Sequence, residues 1–262
     1  LFRNYDPKNA EKALDFINKH TELKTFSNYT FIGYAFERNN DFINAKVTYQ
    51  LALPLAENEN EVYHSYMYYT NFLTRMGDYQ QADEYIHKME VLSTTAAGFF
   101  KESYKSEAMS ARIIYYLNVG DYQSYVQASE KRNAELLPIW SKSNTTECNP
   151  YNGIFFSNTA FGKEMMKEYD VAQKLWKSRD SVNTIWVNCY NKTYPNSKYY
   201  SLSMYPVFLA KRGKQHLLPK PISFFIKETE DHYNSYKDVA DISAHFAKAN
   251  HLAFLGSKDY SQ

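Results

Sequence analysis

Apolar residues recur along this chain at helical spacing, and polar turns interrupt them at a nearly constant interval. The opening example is Asp6-Pro7, which supplies a capping side chain followed by a proline suited to a first helical turn. Ala10, Ala13, Leu14 and Ile17 then follow at the spacing of one helix face. Beyond this helix a polar turn, often Gly-Asp, is followed by an aromatic residue that opens the next helix. The instances are Asn40-Asp41-Phe42, Gly77-Asp78-Tyr79, Gly120-Asp121-Tyr122, Lys167-Glu168-Tyr169 and Ser257-Lys258-Asp259-Tyr260. Arg212-Gly213-Lys214-Gln215 is a weaker copy. Phe42, Tyr79, Tyr122, Tyr169, Gln215 and Tyr260 lie 37 to 47 residues apart, within the roughly 34–47 residue period of helical-pair repeats. Glycine suits the end of each first helix because it takes the left-handed conformation without a Cβ penalty. The aspartate after it can cap the second helix.

These elements predict an all-α protein. Gly and Pro number only 8 each, too few for the many turns of an all-β domain. Hydrophobic residues make up 44% of the 262 and aromatic residues 17%, which supports a core and excludes a disordered chain. Lys+Arg (30) balances Asp+Glu (29), so no basic footprint for nucleic acid is present. No run approaches the roughly 20 apolar residues of a membrane span. The start, Leu1-Phe2-Arg3-Asn4-Tyr5, is not a signal peptide and lacks an initiator Met. The expectation is an excised segment that stops inside a repeat.

Residues 26–59 resemble a tetratricopeptide repeat. Ile32-Gly33 and Phe36 occupy the large-small pair and aromatic of the first (A) helix. Phe42, Ala45, Tyr49 and Ala52 occupy the aromatic and small positions of the second (B) helix. A second copy, 63–94, keeps Tyr66, Leu73, Gly77, Tyr79, Ala82 and Ile86, with Thr70 at the small position. A third, 106–138, keeps Tyr116, Gly120 and Tyr122 but has Tyr125 where Ala is expected. A fourth, 153–186, keeps Ala160, Tyr169, Ala172 and Trp176. The fifth, 199–232, is degenerate: Pro206 falls in its A helix, and Pro219 and Pro221 are expected to break its B helix early. Residues 239–262 look like the A helix of a sixth copy, and Asn144–Gly153 reads as a polar loop.

The resemblance implies one domain over 1–262, a tetratricopeptide-like α-α superhelix of about five to six helical hairpins. It also implies a non-catalytic scaffold whose concave, A-helix face binds a protein or peptide. In the repeat register that face carries Thr30, Tyr34 and Arg38, then His64, Met67, Asn71 and Arg75, then Ser110, Ile114 and Asn118, then Ser157, Phe161 and Glu164. Tyr34, Arg38, His64, Met67, Asn71, Arg75, Asn118 and Phe161 are the candidate peptide contacts. Asn71 and Arg75 fit part of a carboxylate clamp. Thr30 and Tyr34 stand where that clamp wants Lys and Asn, which excludes a cochaperone of that kind.

Candidate chemistry changes the picture little. The seven His residues form no His-Glu-x-x-His motif. Asp241 and His245 read as a surface pair rather than ligands. No phosphate loop, nucleophile elbow or dinucleotide fingerprint occurs. Cys148 and Cys189 lack metal-ligand spacing and read first as buried or free thiols, with a single disulfide as the less favoured alternative. No cofactor or metal is expected, and no catalytic residue. The 25 Tyr are assigned chiefly to packing, as at Tyr49, Tyr79, Tyr122 and Tyr169. At least one ring of Tyr68-Tyr69, of Tyr115-Tyr116 and of Tyr199-Tyr200 is expected to face outward. Two alternative functions remain: the extracytoplasmic sensing domain of a membrane-bound two-component regulator, and a glycan or small-molecule binder. The first alternative slightly favours a periplasmic or extracytoplasmic location.

Overall fold

The computed structural model describes residues 7–96, 100–143, 151–193, 204–236, 250 and 252–253. Among these residues every regular element is helical. The chain forms two compact units, Leu1–Ala128 and Ser129–Gln262, and each is described by itself.

The first unit starts with α1 (Pro7–Lys19), whose Ala10 and Ile17 are buried with Ala13 and Leu14 packed beside them. Asp6 lies outside the described residues. The pair α2 (Phe26–Arg38) and α3 (Phe42–Ala52) follows, then α4 (Glu59–Met76) and α5 (Tyr79–Thr95). Next come α6 (Phe100–Val119) and α7 (Tyr122–Ser143), the latter crossing the unit boundary. Each A helix packs on its own B helix in α2–α3 and α4–α5, and α5 packs on α6. Of the residues that carry the tetratricopeptide resemblance, Ile32, Phe36, Ala45, Tyr49 and Ala52 lie in one buried cluster, whereas Phe42 is exposed. Gly33 has a packing reason: a Cβ there would meet the Tyr49 ring at 3.0 Å. Tyr125, the departure from the family's small residue, is buried as well.

The turns between paired helices share one geometry. Asn40, Gly77, Gly120, Lys167 and Gly213 all have φ between 60° and 78°. In each, the next residue's amide donates to the carbonyl five positions back, at 2.9–3.0 Å, as in Asp78 to Leu73 and Glu168 to Lys163. This is the bond pattern of a Schellman ending, which satisfies the last carbonyls of the A helix. Asp41, Asp78 and Asp121 then cap the B helices, accepting from the amides of Asn44, Gln81 and Ser124 at 3.2, 3.4 and 3.0 Å. Every described turn named from the sequence has the positive-φ ending; Ser257-Lys258-Asp259-Tyr260 lies outside the described residues.

The second unit contains α8 (Tyr151–Met165), α9 (Tyr169–Thr193), α10 (Met204–Lys211) and α11 (Ile222–Tyr236). Ala160, Ala172, Trp176, Phe208 and Leu209 form one core, and Val207, Ala210 and Phe225 another. Two expectations are corrected here and one is met. Gly153 is helical, because α8 already begins at Tyr151. At Pro219 and Pro221 the helical stretch that opens at Gln215 is interrupted early, as their positions imply. A 3-10 turn spans Gln215–Leu217, and α11 starts only after Pro221, where the missing amide and fixed φ of proline do no harm. Cys189 is not a thiol but is disulfide-bonded, and Cys148, the other cysteine, lies outside the described residues. Pro206 sits in the first turn of α10, where no intrahelical amide bond is lost. The two amides before it, Met204 and Tyr205, are taken by the Asp180 carboxylate of α9 at 3.0 and 2.8 Å.

Candidate functional site

The candidate contacts of the first unit lie on α2, α4 and α6, and these A helices neighbour one another in that order. On α2, Thr30 is buried, Tyr34 half-buried and Arg38 exposed. Thr30 therefore belongs to the packing rather than to an open face. On α4, His64, Met67 and Asn71 are half-buried and Arg75 is exposed. His64 Nδ1 lies 2.7 Å from the Asn60 carbonyl, so that ring nitrogen is engaged within its own helix. Met67 packs against the cluster of Tyr63, Ile86 and Met89. On α6, Ser110 is half-buried, and Ile114 and Asn118 are exposed. Asn118 Nδ2 donates to the Ile114 carbonyl at 2.8 Å. Phe161 is exposed on α8, in the second unit, with Ser157 and Glu164 half-buried.

Arg75 has a structural task that the repeat register did not reveal. Glu37 is buried between α2 and α3, its side chain 5% exposed. Its Oε2 accepts from the Tyr49 hydroxyl at 2.9 Å. Its Oε1 lies 2.7 Å from Arg75 Nη2, a close ion pair without hydrogen-bond alignment. A buried carboxylate needs such partners to remain charged. Burial first, and then the Glu37 charge, pushes the Tyr49 phenol far above its ordinary range, so Tyr49 is a fixed donor. The second unit repeats part of this device. Trp176 Nε1 donates to Glu164 Oε2 at 3.1 Å, with the same twelve-residue separation as Tyr49 and Glu37. A Glu late in helix A followed twelve residues on by an aromatic donor is the sequence signal that could have identified both pairs.

Other links also tie neighbouring repeats. Lys46 of α3 pairs with Asp78 at 3.2 Å. Tyr63 stacks on Tyr104 with ring centres 3.9 Å apart, and its hydroxyl donates to the Tyr104 carbonyl. Arg112 of α6 grips Glu90 with two bonds of 2.9 Å and also binds Asp83. Burial opposes its charge, yet these carboxylates hold the guanidinium pKa above its ordinary value. Such links tie each A helix of the first unit to its neighbours.

The tyrosine assignments divide. Tyr49 and Tyr69 are buried and Tyr68 faces outward, whereas Tyr79, Tyr115, Tyr116, Tyr122 and Tyr169 are half-buried. Tyr199, Tyr200, Asp241 and His245 lie outside the described residues. A shallow apolar groove of about 370 Å³ runs between α3 and α4, lined by Phe42, Ile43, Val47, Leu73 and Met76. Among the described residues no group of three or more His, Cys, Asp or Glu is placed to hold a metal ion, and no helix is long and apolar enough to cross a membrane.

No protein-family model matches the chain, and no curated protein does. Among solved structures it is similar to the C-terminal part of a TPR repeat-containing protein from Cytophaga hutchinsonii. The identity is 15%, the match covers 95% of this chain and 92% of that one, and the TM-score is 0.47.

Proposed function

We propose that this helical-repeat scaffold is non-catalytic and binds an extended segment of a partner protein across the adjoining A helices of its first unit. The observation that carries the reading is the side-by-side order of α2, α4 and α6, each with polar or sulfur-bearing side chains at the same register. Tyr34, Arg38, His64, Met67, Asn71 and Asn118 supply donors, acceptors and apolar contact for a peptide backbone and its side chains. Arg75 contributes a charge whose position is set by Glu37. Phe161 is assigned a separate contact in the second unit.

The test compares capture by the wild-type chain with that by an Arg38→Ala/Asn71→Ala double variant and an Ile43→Ser control. Arg75 is left intact because its removal would disturb the buried Glu37. A hydrogen bond contributes about 0.5–1.5 kcal/mol, so losing two should weaken a partner's Kd about tenfold. The control should bind as wild type does. Equal binding by the double variant would move the site off this face.

A second reading, an extracytoplasmic sensing domain, is favoured by the disulfide-bonded Cys189, since such bonds persist mainly in oxidising compartments. Thiol trapping in cells that express the protein natively decides it. Protection of Cys189 from alkylation is expected outside the cytoplasm, and full alkylation would reject the reading.

A further inference from the structure

The fifth repeat departs from the others in a way that opens a cleft. Its A helix, α10, has only 8 residues, and Pro219 and Pro221 delay α11 until Ile222. Helices α9 and α11 thereby flank a cleft of about 470 Å³, with Tyr205 of α10 among its lining residues. That volume is within the roughly 300–1,000 Å³ of small-molecule sites.

The walls differ in chemistry. From α9 come Lys177, Ser181 and Thr184, and from α11 come Phe224 and Glu228. Lys220 enters from the connecting segment, its Nζ 3.6 Å from the Phe224 ring centre. Asp180 also lines the cleft, but its oxygens are occupied by the Met204 and Tyr205 amides and by Arg179. The Ser181 and Thr184 hydroxyls donate back into α9, at 3.0 and 2.8 Å. Lys177, Lys220 and Glu228 are the lining charges not held by the backbone; all three are reached by solvent, and Lys220 lies on the Phe224 ring and close enough to Glu228 to favour its charged form. Burial, with Asp180 adding to it and Lys220 opposing it, pushes the Glu228 carboxyl above its ordinary value. A cation placed beside Glu228 would relieve that, while the lysines suit an anion and the Phe224 ring suits an apolar body.

We infer that the α9–α11 cleft binds a small zwitterion of the amino-acid class with an apolar side chain, its carboxylate toward Lys177 and Lys220 and its ammonium toward Glu228. A neutral polyol would carry no charge to match these three groups. The test is calorimetric titration of the full chain with L-phenylalanine, N-acetyl-L-phenylalanine, L-phenylalaninamide and D-glucose. L-phenylalanine should bind saturably, and each derivative, lacking one charge, should bind at least about tenfold more weakly. Glu228→Gln and Lys177→Gln, both on the exposed side of their helices, should each weaken L-phenylalanine about tenfold with unchanged thermal melting. Glu228→Gln should leave the N-acetyl derivative unaffected. Absence of saturable binding up to roughly 10 mM, binding of either derivative as tight as that of L-phenylalanine, or binding of glucose in their place would overturn the assignment.

Discussion

A buried carboxylate destabilises a fold unless its oxygens are met, and at Glu37 the two partners come from different helices. Tyr49→Phe removes the donor and leaves Oε2 desolvated, a loss of about 1–3 kcal/mol by urea unfolding. Arg75→Ala should destabilise by about 1–2 kcal/mol, less than a fully buried pair because Arg75 is half in water. Arg38→Ala, on the same face, should stay within about 0.5 kcal/mol of wild type, so a binding defect there is not a folding defect. Gly33 offers a second contrast. Alanine at an ordinary helix position would stabilise by about 0.5–1 kcal/mol relative to glycine. Here the added Cβ would press on the Tyr49 ring, and Tyr49 is tethered to Glu37. Overpacking typically costs about 1–3 kcal/mol, so Gly33→Ala should lower the urea midpoint rather than raise it.

At the scale of elements, the turns decide where helices end. Gly77, Gly120 and Gly213 take positive φ without strain, but Lys167 holds the same conformation with a full side chain. The left-handed region costs a side-chain-bearing residue roughly 1–2 kcal/mol. Lys167→Gly should therefore raise stability by about 1 kcal/mol, and Gly77→Ala should lower it by a similar amount, both read as shifts in unfolding midpoint. A rise for both, or a fall for both, would contradict the shared turn geometry. Most of these turns were legible because Gly-Asp-aromatic is local chemistry, with the ending and the next cap written in adjacent residues. The fifth repeat was less legible. Its A helix is closed by Asp180, whose carboxylate binds the Met204 and Tyr205 amides, and a cap from 24 residues away has no local signature.

For the molecule as a whole, the disulfide at Cys189 is the covalent constraint on the second unit. Such a bond stabilises by about 2–4 kcal/mol, chiefly by restricting the unfolded chain. Reduction, or Cys189→Ser, should lower the thermal midpoint. It should leave the Glu37–Arg75 pair of the first unit undisturbed, which the Tyr49 ring resonances would report. A midpoint unchanged by reduction would show that the bond is incidental to stability.

The sequence by itself determined that the chain is helical, where each pair turns, and which residues form the small-and-aromatic joint between helices. Those features depend on neighbours a few positions apart, through periodicity, capping and left-handed turn residues. Only the tertiary structure decided that Arg75 serves Glu37 before any ligand, that Thr30 is packing, that a new helix starts directly after Pro221, and that Cys189 is bonded. Each of these depends on which groups meet across separate helices. An isolated carboxylate, proline or thiol looks the same in sequence whether its partner is solvent or another helix, and burial is what makes the partner matter.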